Sequence, residues 1–326
     1  MAARETLRRA LAALDREVLS FRFEYPLEIV AAAAEPGSLR YHVFSESLFL
    51  EHQEFDSSGV PLKNYRLLGP RYNPLFVAWW GLHHLERAAR GGRGADLDVF
   101  WHQIHWLCER AVRRSDGSAV WLCDFDWCEG RTRLRSPWIS AMYQGVAISA
   151  LVRAARLAGS DELLELARAA AGPFRTMVAD GGVRSREGGA TLYEEYPALP
   201  LPRILDGFLF SLVGLHDLAR ASGDPAIQRL FDEGVEGLVR NLPWWDYRGK
   251  WSWYGAHGYL CPPHYHALNH GLVALLGRLT GEPSLARQAR QWDPAGHSLR
   301  DRAEIFAVLL ASQNLARLRL PNERGA

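Results

Sequence analysis

The chain has 326 residues and a formal net charge of +1, with 48% hydrophobic and 23% charged residues. This composition is typical of a globular protein and excludes a disordered one. No run of Lys or Arg forms a basic stripe, so nucleic acid is not an expected partner. The length suits one large domain or two modest ones.

The N-terminal segment Arg4–Leu19 has the spacing of an amphipathic helix interrupted by charges. It lacks the apolar core of a signal peptide, and no apolar run in the chain reaches membrane-spanning length. The four cysteines are not spaced as two zinc-binding pairs. We therefore expect reduced thiols, no metal site, no membrane partner and a cytoplasmic location.

From Phe21 to Leu68 the pattern changes, because aromatic and polar residues alternate and the letters DSSGVP indicate a turn. Such alternation favours a short, extended β-like arm, with a β-hairpin as one arrangement. The sequence after Tyr65 has a helical pattern instead. We predict an N-terminal part over residues 1–65, which contains the first helix and the arm, and a helical catalytic domain over residues 66–326.

The helical part shows a long repeat. Helices are expected to begin near Leu75, Trp138, Arg203 and His266, at a spacing of about 64 residues. Each is followed by a short Gly- or Asp-containing break and a second helix. About four helical hairpins are typical of an α/α toroid, in which one set of helices lines the inside. The predicted fold class is therefore mainly α, an incomplete α/α barrel behind a short β-like arm.

The loops that lead into these four helices concentrate polar and aromatic side chains. The repeat predicts that all four loops open on the same rim, where such folds bind ligands. The residues brought together would be Arg71, Tyr72, Asn73, Arg133, Arg135, Glu194, Glu195, Tyr196, Trp251, Trp253, Tyr254, His264, Tyr265 and His266. We expect a functional cleft there, although long loops also carry aromatics merely to cover helix ends.

One of these loops, TLYEEYPALPLPRILDG over residues 191–207, is stiff because three prolines fix its backbone before the next helix. Glu194, Glu195 and Tyr196 therefore precede a helix in a rigid segment, where Glu195 could instead cap the helix or pair with Arg203.

Several pieces of the chain resemble the helical domain of the D-glucuronyl C5-epimerase family. They occur in the family's order between about Tyr65 and Leu276, and the order is more specific than any single piece. The matching letters are YNPLFVAWWGL, WISAMYQGVAISALVRA, GPFRTMVADGGV, EEYP, ILDGFLFSLVGLHD, WSWY and a tyrosine–histidine pair at Tyr265 and His266.

The resemblance implies inversion of C5 in a uronic acid residue of a poly- or oligosaccharide, without a cofactor. By the same resemblance Glu195, Tyr254 and Tyr265 match the catalytic set, and Tyr196 is the next candidate. The residues expected to bind the glycan are Arg71, Tyr72, Asn73, Arg133, Arg135, Trp138, Tyr143, Gln144, Arg203, Trp253, His264 and His266.

This chemistry makes demands that the candidate residues suit. One group must remove the C5 proton, and an acid must return a proton on the opposite ring face. The arginines and histidines are candidates to neutralise the substrate carboxylate. Two positions differ from the family pattern: the SWY motif continues with Gly255, Ala256 and His257 instead of Asp, Leu and Arg, and Pro262, Pro263 and His264 replace an Arg-Trp-Asp sequence.

Three alternatives remain open at this stage. A uronan lyase would form the same carbanion but expel the C4 oxygen. A glycoside hydrolase would need a second carboxylate, and Asp206 or Asp246 would have to join Glu195. A non-catalytic glycan-binding protein would use the same aromatic rim. The expected partner in each case is a uronic-acid glycan, and a homodimer is one expected assembly.

Overall fold

The computed structural model describes Arg8 and residues 27–35, 37–46, 53–65, 67–92 and 94–319, with the backbone alone at 317–319. These residues divide into two compact units. The first unit is Glu28–Asn241, and the second contains residues 242–319 together with Arg8 and Leu27. The helix expected at Arg4–Leu19 lies outside the described residues apart from Arg8. The division expected after residue 65 stays a prediction.

Six helices of the first unit form three consecutive hairpins. Their bounds are Pro74–Ala89 (α1) and Gly94–Arg110 (α2), Ala141–Ala158 (α3) and Asp161–Ala170 (α4), and Leu205–Ser222 (α5) and Pro225–Asn241 (α6). The starts of α1 and α3 are set by side-chain caps, since Asn73 accepts a hydrogen bond from the backbone N–H of Leu75 and Ser140 from that of Tyr143.

Glycines end the first helix of two of these hairpins. Gly159 after α3 and Gly223 after α5 adopt left-handed backbone conformations with φ of 63° and 61°. Each donates its backbone N–H to the carbonyl four residues earlier, which closes the helix and turns the chain into the next one. The Gly- and Asp-containing breaks of the sequence are therefore helix-terminating turns.

Helices α3 and α5 are buried on nearly every side and pack closely against each other. The contact is close because both helices place a glycine in it: a Cβ at Gly214 would lie 2.2 Å from the carbonyl oxygen of Gly145. Helix α6 buries only one stripe, at positions 227, 230, 231, 234, 237, 238 and 241. The hairpins thus alternate an enclosed helix with an outer, amphipathic one.

Short antiparallel strands precede the first helix of each hairpin. They are Glu28–Ile29 (β1), Val43–Phe44 (β2), Gln53–Phe55 (β3), Pro61–Tyr65 (β4), Gly69–Tyr72 (β5), Val112–Arg113 (β6), Ala119–Val120 (β7), Trp127–Glu129 (β8), Thr132–Leu134 (β9), Arg184–Glu187 (β10) and Ala190–Tyr193 (β11). The pairings are β1–β2, β3–β4–β5, β6–β7, β8–β9 and β10–β11. The strands β5, β9 and β11 are the last before α1, α3 and α5, so their hairpins precede the loops in which the candidate site residues lie.

The second unit repeats this order. The strands Asp246–Tyr247 (β12) and Trp251–Ser252 (β13) pair before a helix hairpin formed by Pro263–Thr280 (α7) and Pro283–Trp292 (α8), and Leu299–Arg319 (α9) follows. Its core includes Trp251, Leu260, Ile305 and Leu309, with Tyr247, Trp253 and Val308 packed against them. Gly281, with φ of 71°, ends α7 as the other glycines end α3 and α5.

The predicted mainly-α class is confirmed. The four helices expected near Leu75, Trp138, Arg203 and His266 begin within three residues of those positions. The β-hairpin given as one arrangement of the arm is present, since β3 and β4 pair on either side of the DSSGVP turn. The β-hairpins before α3, α5 and α7 were not predicted. No helix in the described part of the chain is long and apolar enough to span a membrane.

Candidate functional site

Glu195 lies in the segment that joins β11 to α5, and the backbone of this segment is held on two sides. The N–H of Glu194 donates to the carbonyl of Val183 at 2.8 Å, and its carbonyl accepts from the N–H of Ala141, the first residue of α3, at 3.1 Å. The Glu195 side chain is buried, with 6% of the residue exposed. It packs against Gly207 in the first turn of α5, where a Cβ would lie 2.3 Å from Glu195 Oε2.

Two further carboxyl groups surround Glu195. Burial raises the pKa of Glu195 well above its ordinary range, and the negative charges of Asp206 and Glu129 raise it further. Burial also raises the pKa of Asp206, against hydrogen bonds from its own N–H and that of Gly207. Burial raises the pKa of Glu129 to about 7; the Nε1–H of Trp127, which donates to Glu129 Oε2 at 3.4 Å, opposes this shift. All three acids therefore keep their protons to a higher pH than ordinary carboxyl groups do.

Aromatic side chains close this cluster. The Tyr196 hydroxyl hydrogen-bonds to the Glu195 carboxylate, and its ring lies 5.9 Å from that of Trp138. Trp138 also contacts Tyr143, with ring centroids 5.8 Å apart, and donates its Nε1–H to the carbonyl of Phe125 at 2.7 Å. Tyr196, Trp138 and Tyr143 are predicted site residues, and the structure brings them together with Glu195.

Asn73 connects two tyrosines of this cluster. Its Nδ2 donates to the hydroxyl of Tyr65 at 2.7 Å and to that of Tyr143 at 3.2 Å. Burial raises the pKa of both tyrosines, and the charge of Glu195 contributes in each case, so both hydroxyls lie within its electrostatic reach. Tyr72 belongs to a different surrounding: its hydroxyl donates to Asp56 Oδ2 at 2.7 Å and its ring contacts that of Trp106.

The predicted arginines differ in their contacts. Arg203 pairs with Glu194 at 3.2 Å and donates to Glu187 at 2.8 Å, so the carboxylate it binds in this loop is Glu194 rather than Glu195. Arg135 forms an exposed ion pair with Asp126.

Two other predicted arginines lie on strands. Arg133 is on β9 and donates to Cys128 Sγ at 3.3 Å, and Arg71 is on β5, opposite Lys63. Both are exposed.

Gln144, another predicted binding residue, is fully buried and uses its amide within the protein. Its Nε2 donates to the carbonyls of Ala119 and Ala170, each at 2.9 Å, and its Oε1 accepts from the N–H of Trp121 at 3.1 Å. These bonds join α3 to the β6–β7 hairpin and the end of α4, which gives Gln144 a structural task.

In the second unit the predicted tyrosines Tyr254 and Tyr265 contact each other, with ring centroids 5.4 Å apart at 71°. Tyr254 also stacks on Tyr259 at 5.2 Å. Each tyrosine of the pair has a histidine ring beside it, since His257 lies 5.6 Å from Tyr254 and His264 lies 4.5 Å from Tyr265. Tyrosine and imidazole groups thus form one cluster.

His266 fixes the helix that carries Tyr265. The backbone N–H of Ser252 donates to His266 Nδ1 at 3.1 Å, so the proton is on Nε2, which donates to the carbonyl of Trp292 at 2.9 Å. The ring stacks on Trp251 at 3.6 Å, and burial holds the pKa of His266 well below its ordinary range. This neutral imidazole ties the start of α7 to β13.

Trp253, which follows β13, contacts Tyr247 edge-on with ring centroids 5.6 Å apart, and its side chain is half-buried. It packs against the core of the second unit. Glu195 and Trp138 belong to the first unit, whereas Trp253, Tyr254 and Tyr265 belong to the second. The single rim expected for all of them stays a prediction.

The sequence did not indicate Glu129 or Tyr65 as site residues, and Asp206 was expected there only as the second carboxylate of a glycoside hydrolase. Asp206 had one usable signal, because it lies in the first turn of the helix that follows the EEYP motif. Glu129 and Tyr65 are on separate β-hairpins, and nothing in their local sequence indicates that they approach Glu195.

Away from this site, His42, His216 and Asp217 bring three ligand-type atoms within 4.8 Å of one another. The guanidinium group of Arg153 already binds Asp217, with Nη1 2.6 Å from Oδ2. His42 Nε2 lies 2.9 Å from the other oxygen, Oδ1. The arrangement is a buried ion pair that connects α3 and α5, and its donor set does not favour a metal ion.

The sequence matches the family described as D-glucuronyl C5-epimerase C-terminus over residues 115–294. The chain belongs to this family. The matched range contains Glu129, Glu195, Asp206, Tyr254 and Tyr265.

Two relatives show how much of a longer protein the chain covers. It is 33% identical over 216 residues to a D-glucuronyl C5-epimerase of Caenorhabditis elegans, which is 60% of this chain and 34% of that protein. It is also 25% identical over 177 residues to an uncharacterized protein of Methanocaldococcus jannaschii, which is 53% of this chain and 56% of that protein. The chain thus spans less than two thirds of either relative.

Proposed function

We propose that this chain is an isomerase that inverts C5 of a uronic acid residue in a poly- or oligosaccharide, of the D-glucuronate to L-iduronate type. The observation that carries the proposal is the buried Glu195, which hydrogen-bonds to Tyr196 and lies among acids of raised pKa within the family's matched range. The C. elegans relative is named for this activity, which supports the same substrate class.

The proposed chemistry begins with the C5 proton, which is acidic only because the neighbouring carboxylate can delocalise the resulting charge. Glu195 is the proposed base. Its raised pKa makes it a stronger base than an ordinary carboxylate once it is ionised. Tyr254 and Tyr265 are the proposed groups for the opposite ring face, and Tyr196 is the next candidate.

The proposed glycan contacts follow from the same family. Trp138 and Tyr143 lie near Glu195 and are the residue type that packs on apolar faces of sugar rings, although both are buried in this structure. Asn73 contributes an amide in the same cluster. Arg71, Arg133, Arg135 and His264 stay predicted ligands of the substrate carboxylate. For Gln144 and His266 we propose a role in positioning, because their polar atoms bind neighbouring residues.

The test is incubation of the protein with a panel of uronic-acid glycans in deuterated water, followed by NMR. The expected result is deuterium at C5 together with the inverted sugar. Alkene protons and the absorbance of an unsaturated uronate would instead identify a lyase, which eliminates the C4 oxygen from the same carbanion. Binding without any exchange would identify a non-catalytic glycan-binding protein.

Three substitutions assign the proton-handling groups. Glu195→Gln should abolish deuterium exchange at C5. Tyr254→Phe or Tyr265→Phe should lower inversion more than it lowers exchange at C5 on the face where Glu195 acts. Tyr247→Phe is the matched control, because the Tyr247 hydroxyl donates to Glu304 at 2.9 Å and serves the packing of α9. Full inversion in both tyrosine variants would reduce Tyr254 and Tyr265 to packing residues.

One observation favours a second candidate, a glycoside hydrolase. Such an enzyme needs a protonated acid near an ionised carboxylate, and Asp206 supplies a second carboxyl group beside Glu195. Asp246 does not, because Gln288, Trp292 and the N–H of Gly249 all donate to its carboxylate. New reducing ends in the same incubation, without exchange at C5, would replace the epimerase proposal with this one.

A further inference from the structure

We propose that Asp206 and Glu129 carry protons between Glu195 and solvent, so that three carboxyl groups form a proton relay. The inference rests on the proposed function, and it adds two residues that act through Glu195. It starts from a requirement of the chemistry: a base that has taken a proton from C5 must lose it before it can act again.

The proton balance is simple. The C5–H bond breaks as an O–H bond forms on Glu195, while a hydroxyl group on the opposite face gives its proton to C5. That hydroxyl then regains a proton from solvent. Glu195 must release one proton in the same cycle, and transfer to an ionised carboxylate beside it leaves Glu195 ionised again.

Asp206 is placed to accept this proton. It is the second residue of α5, adjacent to the Gly207 position where Glu195 Oε2 packs, and only 4% of the residue is exposed. Its Oδ1 is buried and makes no hydrogen bond to any residue in the described part of the chain. A buried carboxylate oxygen without a donor is costly, and a shared proton from a neighbouring acid would satisfy it.

Glu129 extends the path towards the surface. It interacts electrostatically with both Glu195 and Asp206, so all three carboxyl groups lie within electrostatic reach of one another. It is half-buried at the end of β8, immediately before the turn at residues 130 and 131, where Arg131 is exposed. The order from Asp206 to Glu129 to this turn leads from the buried cluster to solvent.

The surrounding groups favour proton sharing over permanent ionisation. The groups that shift the pKa of Glu195 are the carboxylates of Asp206 and Glu129 and the hydroxyl of Tyr196. Tyr65 and Tyr143 interact electrostatically with Glu195, and Cys123 interacts with both tyrosines. Because all three carboxyl groups have raised pKa values, each can hold a proton and pass it to a neighbouring ionised carboxylate. Arg203 is paired with Glu194.

The experiment compares Asp206→Asn and Glu129→Gln with the parent on a glycan that the parent inverts, in deuterated water. In the parent, the proton that Glu195 takes from C5 is exchanged for deuterium from the solvent through the relay. When Glu195 then returns deuterium to C5 on the same ring face, the recovered substrate is labelled without being inverted. Without the relay, Glu195 returns the original hydrogen. The ratio of deuterium in recovered substrate to deuterium in inverted product should fall about tenfold in each variant. This corresponds to a change of about 1.4 kcal/mol in the difference between two barriers, one for exchange on Glu195 and one for return of the original hydrogen to C5.

This ratio separates a relay from a merely structural role, because a distorted site lowers exchange and inversion together and leaves the ratio unchanged. Glu233→Gln is the matched control, since Glu233 binds Arg184 at 2.6 Å outside the cluster, and its ratio should equal that of the parent. Should Asp206→Asn fail to fold, Glu129→Gln alone carries the test because Glu129 is half-buried.

An unchanged ratio in both variants would overturn the relay and leave the epimerase intact. A parent that shows no exchange with any glycan would overturn both proposals. A second readout does not depend on activity: with ¹³C-labelled carboxyl groups, the NMR titration midpoint of Glu195 should move to lower pH in Asp206→Asn, and an unchanged midpoint would show that the two acids do not interact.

Discussion

Gly207→Ala is the substitution for which the structure gives the sharpest expectation. A Cβ at this position would lie 2.3 Å from Glu195 Oε2, 2.6 Å from its Cβ and 2.8 Å from its Cδ. Favourable contacts between carbon atoms are about 3.5–4.0 Å, so all three atoms are too close. Because the Cβ of Glu195 is fixed to its backbone, rotation of the side chain cannot relieve the contact, and either the segment or α5 has to move.

The magnitude follows from two opposing effects. Forcing an extra methyl group into a packed site costs about 1–3 kcal/mol, whereas replacing glycine by alanine within a helix gains about 0.5–1 kcal/mol. The free energy of unfolding should therefore fall by up to about 2.5 kcal/mol. If Glu195 acts on C5, a displacement of about 1 Å lowers the rate about 100-fold, so activity should fall much more than stability.

The assay is urea unfolding followed by circular dichroism, paired with C5 exchange on an accepted glycan. Gly94→Ala in α2 is the control, because a Cβ there meets no atom within 4 Å. That variant should be unchanged or up to about 1 kcal/mol more stable, with parental activity. If Gly207→Ala behaves like Gly94→Ala in both measurements, Glu195 does not pack against α5 and does not form a carboxyl cluster with Asp206.

Three further predictions concern stability. Arg153→Met leaves the buried Asp217 without its cation, so it should lower the free energy of unfolding by about 3–5 kcal/mol. Breaking an exposed pair such as Glu236 with Arg240 should lower it by less than about 1 kcal/mol. Equal losses for the buried and the exposed pair would contradict this prediction. Gln144→Leu should cost about 1–3 kcal/mol because it leaves the buried backbone groups that bond the amide unsatisfied, and unfolding like the parent's in urea would refute the structural role. The pKa of Glu129 is raised from 4.5 to about 7 in the folded protein. The contribution of the protonated side chain to the free energy of unfolding is therefore fully present below pH 4.5 and is lost as pH rises through 7. Between pH 4.5 and pH 8, the free energy of unfolding of Glu129→Gln should therefore rise by about 2–3 kcal/mol relative to that of the parent. A difference between the two proteins that stays constant across that range would show that the pKa of Glu129 is ordinary.

The amino-acid sequence by itself determined the helices and where they begin and end. Asn73 and Ser140 cap α1 and α3, and Gly159 and Gly223 end α3 and α5. These features depend on hydrogen bonds and backbone preferences within a few residues, which is why their letters can be read directly. The mainly-α class and the family's EEYP and SWY motifs were accessible for the same reason.

Other features of the site depend on the tertiary structure. The EEYP motif selects Glu195 over Glu194, but only the structure gives the physical difference: Arg203 pairs with Glu194, while Glu195 interacts with Asp206 and Glu129. Gln144, which the family resemblance placed among the binding residues, proved to hold the backbone of two neighbouring elements.

The physical reason is the range of the forces involved. A helix cap is decided by atoms a few bonds away, whereas the pKa of a carboxyl group is decided by loss of water and by charges from every element that packs around it. Glu129 comes from the β8–β9 hairpin, Glu195 from the segment after β11 and Asp206 from α5. Only the packing of these three elements brings the three acidic residues, which are ordinary in the sequence, into one interacting group.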